Sequence, residues 1–355
     1  MHIGPHKTSS TYIQSYLSEN AYELDQQNFH WPNSSNGQPM HAKHISLFAV
    51  ALRNKHLDTH NTLSLMNTYF QESLQLGRNI IISSEEFDAL TAPSVAILRK
   101  MLTGFEVTIV YVYRELLSHL ISLHFETNRY EHNIQFSSSF ATFLFKTMDQ
   151  LSNIVQPLPV LALYANAFGQ KSIRIIDMKG CEADQQDINK VLVCEILHVS
   201  CENSALFSPR SLRSNVAYNL ISSQAFSYFN AYVERKKLIS EETCRFCAGR
   251  HSAFRVFDAQ YRDQLTAGTV RALPTLQSSL SMLVPYAERM DAELRAKYNK
   301  RILHSNKTAN VAQMRESTRV EALDQEHFAT DIYWERWMER MYVSALTQGL
   351  LCGCV

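Results

Sequence analysis

Three short stretches gather side chains able to hold an anion or take up a proton. The first is His6-Lys7 followed by four hydroxyl residues, Thr8, Ser9, Ser10 and Thr11. An apolar start at residues 1–3 and a Gly4-Pro5 breaker precede it. Strand, tight loop and helix start, in that order, arrange backbone N–H groups and a helix N-terminus around a negative charge. Lys7 adds a mobile cation and the hydroxyls add donors for phosphate oxygens. Ser and Thr also cap helices in any protein, so this stretch alone does not choose between a cap and an anion cradle. The second stretch is Glu85-Glu86, directly after the apolar run RNIIISS at residues 78–84. The third is Arg114, which closes VTIVYVY at residues 107–113 and leads into a helical run carrying Ser118, His119 and Ser122.

The elements between these stretches predict how they meet. Residues 78–84, 107–113 and 171–177 read as buried strands, because continuous apolar runs suit parallel strands covered on both faces. Residues 12–24, 41–57, 61–76, 93–102 and 115–129 carry apolar residues at helical spacing. Residues 135–164 continue mostly helical, with Pro157 and Pro159 marking a break. Helix alternating with strand over residues 1–180 predicts an α/β fold, a parallel central sheet flanked by helices. Lys7, Glu85 and Arg114 then share the carboxyl edge of the sheet, where open α/β sheets bind ligands. Beyond residue 180 strands disappear from the pattern and a mainly helical C-terminal region is expected, with amphipathic helices at 285–298 and 331–346. The domain expectation is one α/β domain over residues 1–300 and a helical extension over 301–355.

The 355-residue chain has 34 basic and 34 acidic side chains, 45% hydrophobic residues and 19% charged ones. That describes a globular protein with no overall field to attract nucleic acid, so any anion site is local. The apolar runs are too short to span a bilayer. Seven scattered cysteines predict reduced thiols. No signal segment is visible ahead of the first strand. The sequence as it stands therefore predicts a cytoplasmic chain, or the lumen of the secretory pathway if an anchor precedes it. Cys244 and Cys247 with His251 make half a zinc ribbon, and Cys352 and Cys354 lie too far away to complete it, so no metal is expected. Tyr333, Trp334 and Trp337 read as a packing face.

At this point the residues resemble a family. GPHKTSSTYIQ is similar to the 5′-phosphosulfate loop of sulfotransferases that use 3′-phosphoadenosine 5′-phosphosulfate (PAPS). VTIVYVYRELLSHLISLHFE resembles their 3′-phosphate motif, and NIIISSEEF resembles the strand and acidic residue of the carbohydrate-type and microbial members. YANAFGQKSIRIIDMKG is similar to a later helix–strand segment of the same group. The resemblance runs in order over about residues 1–235. It implies a sulfotransferase fold of the P-loop nucleoside-triphosphate-hydrolase type, PAPS as sulfuryl donor and no metal. His6, Lys7, Thr8, Ser9, Ser10 and Thr11 would bind the 5′-phosphosulfate, with Lys7 neutralising the leaving phosphate. Arg114 and Ser122 would hold the 3′-phosphate, with Arg213, or less readily Arg210, closing over it. Where Ser9 stands, the family loop often has glycine. The chain also lacks the second glycine of the triphosphatase loop G-x-x-x-x-G-K-[ST].

Sulfuryl transfer to a hydroxyl needs a proton acceptor. The resemblance implies Glu85, or Glu86 beside it; His44 and His41 are the rivals. The partner expected is a hydroxyl-bearing small molecule or carbohydrate. The alternatives are a non-catalytic ligand-binding relative that kept the fold and, further off, a nucleotide kinase or triphosphatase.

Overall fold

The computed structural model describes residues 1–32, 42–54, 61–130, 156–201, 249–272, 281–306 and 330–347, with shorter pieces of 225–246, 275–279, 319–328 and 351–352. In chain order its main elements are α1 Ser10–Glu19, α2 Ala21–Gln26, β1 Phe29–His30, α3 Ala42–Arg53, α4 Thr62–Gln75 and β2 Asn79–Ile80. A 3₁₀ turn, Glu85–Ala89, follows, then α5 Ala92–Met101, β3 Ile109–Tyr113, α6 Leu116–Tyr130, α7 Pro157–Phe168, β4 Ile173–Asp177 and α8 Met178–Ala183. Next come β5 Arg245–Phe246, α9 Gly249–Thr266, β6 Thr275–Ser279, α10 Val284–Tyr298, β7 Ile302–Leu303, β8 Arg319–Leu323, α11 Ile332–Thr347 and β9 Leu351–Cys352.

Two compact units result. The first comprises Met1–His119, Asp149–Val216 and Leu283–Glu316. Its centre is a parallel sheet in which β3 pairs β4 and β4 pairs β7, with Ile109 opposite Ile173 and Tyr113 opposite Asp177. Residues 1–3 slot beside β3: His2 bridges both Ser83 and Val110 in parallel sense. The His2 N–H donates to the Ile82 carbonyl at 2.8 Å and the Ile3 N–H to the Val110 carbonyl at 3.0 Å. Beyond them β2 pairs β1, also in parallel. Across the unit the order is therefore 29–30, 79–83, 1–3, 109–113, 173–177, 302–303. The chain leaves residues 1–3 toward β1 on one side and leaves β3 toward β4 on the other. These two neighbours form the switch point of the sheet, the place where ligands settle in open α/β folds.

Burial explains why these runs are strands. Ile109, Val110, Tyr111, Val112 and Tyr113 are all buried, as are Ile173, Ile175 and Ile176, so each β-branched side chain contributes roughly 1.5–3 kcal/mol of burial. At the carboxyl end of β4 the buried Asp177 accepts from Arg295 of α10 at 2.9 Å and caps α8 through the Gly180 N–H at 3.1 Å. Gly180 has no room for a side chain, since a Cβ there would stand 1.6 Å from the His304 carbonyl oxygen.

The second unit comprises Leu120–Met148, Ala217–Met282 and Ser317–Val355. Its core joins Phe229, Phe257, Phe328, Trp334, Trp337 and Met341. Trp334 and Trp337 sit edge to face, 5.6 Å between centroids, as the expected packing face requires. Tyr333 lies at its border, under the Arg271 guanidinium.

The α/β class, the parallel sheet and a helical C-terminal region are as expected. Three details differ. Strands recur beyond residue 180: β6 pairs β8 and β5 pairs β9, both antiparallel, and β7 joins the main sheet. TLQSS and RVEAL in β6 and β8 are too polar to announce themselves as strands. The break marked by Pro157 and Pro159 is the start of α7: Gln156 is extended, and the first turn has no use for the missing proline N–H groups. Helix 12–24 divides at Asn20, whose side chain donates to the Tyr16 carbonyl at 2.8 Å. Finally, Cys194 and Cys201 form a disulfide with Cα atoms 5.9 Å apart, against the expectation of reduced thiols. A turn after the helical stretch brings them within bridging reach despite the scattered cysteine pattern. Among the described residues no helix is long and apolar enough to cross a membrane.

Candidate functional site

At the switch point, residues 4–9 join the first extended segment to α1. Gly4 has φ +88°, and a Cβ on it would come within 2.9 Å of the Glu85 Cα. Glycine is what lets the loop lie against the acidic turn. The Gly4–Pro5 peptide is cis. Lys7 and Ser9 both adopt left-handed backbone, φ 62° and 67°, with Thr8 between them outside that region. Such alternation turns successive N–H groups toward one side and makes an anion-binding concavity. Ser9 makes no side-chain cap on α1, and no acidic residue occupies the first turn of that ten-residue helix. The helix end therefore keeps its partial positive charge facing the loop.

The hydroxyls divide in two. Thr8 Oγ1 donates to the Pro5 carbonyl at 2.6 Å and Ser10 Oγ to the same oxygen at 3.3 Å, both buried. Ser9 is half-buried and Thr11 exposed. A left-handed non-glycine residue costs on the order of 1–3 kcal/mol, so a loop with two of them needs bracing from outside.

That bracing comes from the ends of neighbouring strands. Arg114, following β3, donates from Nη1 to the Lys7 carbonyl at 2.9 Å. Loss of hydration around the half-buried guanidinium pulls its pKa down, while the Glu115 and Glu182 charges oppose the shift. His119, one turn into α6, donates from Nε2 to the His6 carbonyl at 2.7 Å. Burial, more than any neighbouring charge, pushes this imidazole down to about 3, so it is neutral and carries its proton on Nε2. The His6 N–H in turn donates to Asp88, whose buried carboxyl is held well above the usual range by desolvation and by the Glu86 and Glu85 charges. Glu115 caps α6, accepting from the Leu117 N–H at 2.5 Å and the Ser118 N–H at 3.0 Å.

The acidic pair opens the 3₁₀ turn that follows the strand. Ser84 caps the 3₁₀ turn by accepting from the Glu86 N–H at 3.2 Å, and the two carboxylates diverge from there. Glu86 lies 3.6 Å from Arg53 and 3.8 Å from His6, within a charge network. Glu85 accepts from the neutral amide of Gln14 at 2.9 Å and is half-buried beside Gly4.

The structure thus brings His6, Lys7, Thr8, Ser9, Ser10, Arg114, Glu85 and Glu86 to one sheet edge. Thr11 faces outward on α1, and Ser122 lies half-buried on α6. His44 falls within α3, but its side chain lies outside the described residues, as do His41, Arg210, Arg213, Cys244, Cys247 and the side chain of His251. Among the described residues no group of three His, Cys, Asp or Glu is placed to hold a metal ion. Sequence reasoning missed His119, Asp88, Gln14 and Arg53. Only His119, inside the segment after Arg114, and Asp88, in EEFD, carried a visible signal. Comparison with family models, curated proteins and solved structures found no match to this chain.

Proposed function

We propose that this chain is a sulfotransferase that takes a sulfuryl group from PAPS and passes it to an acceptor hydroxyl on a carbohydrate or small molecule. The observation that carries the proposal is the loop of residues 4–9. Its left-handed Lys7 and Ser9 open onto an uncapped helix N-terminus, and Arg114, the residue for the 3′-phosphate, is tied directly to Lys7.

In this reading the 5′-phosphosulfate rests on the loop N–H groups and the start of α1, and the fold is of the P-loop type. Glu85 takes the proton of the acceptor hydroxyl, whose oxygen attacks sulfur. The bond from sulfur to the bridging phosphate oxygen breaks on the opposite side. Lys7 neutralises the charge that collects there, leaving a sulfate ester and 3′-phosphoadenosine 5′-phosphate. Glu85 suits the base better than Glu86, because Glu86 faces Arg53 and His6 whereas Glu85 is oriented by a neutral amide. No metal enters this chemistry.

A non-catalytic binder is the second reading, favoured by one observation: Thr8 and Ser10 spend their hydroxyls on the Pro5 carbonyl. Transfer of labelled sulfate from PAPS to a panel of hydroxyl acceptors separates the two. Turnover that disappears in Lys7→Ala supports the transferase; binding of 3′-phosphoadenosine 5′-phosphate without turnover on any acceptor supports the binder.

A further inference from the structure

We infer that His119 and Asp88 are positioning residues that hold the backbone of His6 on both sides of its Cα and thereby set the Lys7 conformation for the donor. Asp88 accepts the His6 N–H and His119 donates to the His6 carbonyl at 2.7 Å, so the peptide groups on either side of the His6 Cα are each held by a buried side chain. The next carbonyl, that of Lys7, is pinned by Arg114 at 2.9 Å. Backbone groups on both sides of the left-handed Lys7 are therefore fixed. Without them the loop has a lower-energy, right-handed alternative at Lys7.

The grip is chemically fitted to an anion site. Burial, with the Glu86 and Glu85 charges beside it, raises the Asp88 carboxyl well above the usual carboxylate range, which disfavours a further negative charge beneath the loop. His119 is neutral, so it supplies a donor without adding a competing cation. The positive charge near the loop stays with Lys7, Arg114 and the end of α1. Neither His119 nor Asp88 needs to touch the donor; they act through the backbone.

The inference rests on the reading of residues 4–9 as the donor loop, and its test separates the two. Amide hydrogen exchange of residues 6–10 is followed in ligand-free protein, and affinity for 3′-phosphoadenosine 5′-phosphate is measured by calorimetry. The variants are His119→Met, which removes the donor, and His119→Gln, which retains one. His119→Met is expected to raise loop exchange and weaken the ligand by roughly ten-fold or more, the cost of a buried carbonyl left without its donor. His119→Gln is expected to restore most of both. Asp88→Asn, which keeps the acceptor, against Asp88→Leu gives the same contrast if His119→Met does not fold. Unchanged loop exchange in His119→Met and Asp88→Leu overturns the grip. Faster exchange in a protein that binds no 3′-phosphoadenosine 5′-phosphate keeps the grip and overturns the donor reading.

Discussion

Arg114→Ala removes the link between the two ends of the proposed donor clamp. In the folded chain Nη1 donates to the Lys7 carbonyl at 2.9 Å from a half-buried position. A hydrogen bond from a charged group is worth about 1.5–3 kcal/mol, which corresponds to roughly ten- to a hundred-fold in an equilibrium constant. If Arg114 served only the 3′-phosphate, its loss would weaken 3′-phosphoadenosine 5′-phosphate and leave adenosine 5′-phosphate unaffected. Because it also braces Lys7, both ligands should weaken: the 5′-phosphate alone by about ten-fold, and the bisphosphate by a further ten-fold or more. Arg114→Lys should not rescue the second effect, since an ammonium lacks the fork needed to reach a carbonyl and a phosphate together. Isothermal calorimetry with the two nucleotides on wild type and both variants reads this directly. Unaltered adenosine 5′-phosphate affinity in Arg114→Ala refutes the coupling. Equal losses for both ligands refute the assignment of Arg114 to the 3′-phosphate.

Other outcomes follow from the same geometry. Ser9→Gly should keep binding, while Ser9→Val, a β-branched residue forced to φ 67°, should lose about 1–2 kcal/mol of stability by urea denaturation; equal stability of the two refutes the strain at Ser9. Glu85→Gln should lower turnover by roughly a hundred-fold or more and leave nucleotide binding intact, whereas Glu86→Gln should leave the chemical step unchanged in steady-state assays. Burial lowers the folded pKa of His2 and of His119 to about 3, well below the value of a free imidazole. Each is neutral when folded and takes up a proton on unfolding, so stability should fall as pH drops from about 6.5 toward 3. Each histidine contributes a slope of up to about 1.4 kcal/mol per pH unit. Denaturation series at stepped pH should show a shallower slope in His119→Gln.

Much of this arrangement is legible in the sequence because periodicity and strand ends are local properties. Five apolar residues in a row at 109–113 leave no face for water, so the strand, and Arg114 at its end, follow from composition. The same holds for RNIIISS and the acidic turn after it. What escapes is set by direction rather than by type. Four hydroxyls in a row look equivalent on paper, yet Thr8 and Ser10 turn inward to one carbonyl while Thr11 faces out. Ser9 stands in left-handed backbone, which explains why a glycine would be at ease there. His119 and Asp88 act on a peptide more than eighty residues from either in the chain, and no spacing rule announces such a contact. The polar strands β6 and β8 are invisible for a related reason: their partners, not their residues, make them strands.

The central claim is most directly tested by calorimetry with 3′-phosphoadenosine 5′-phosphate, ADP and ATP on the same preparation. A donor site built on residues 4–9 and Arg114 predicts clear preference for the 3′-phosphorylated nucleotide, lost in Arg114→Ala. Equal binding of ATP, or binding of none of the three, contradicts it.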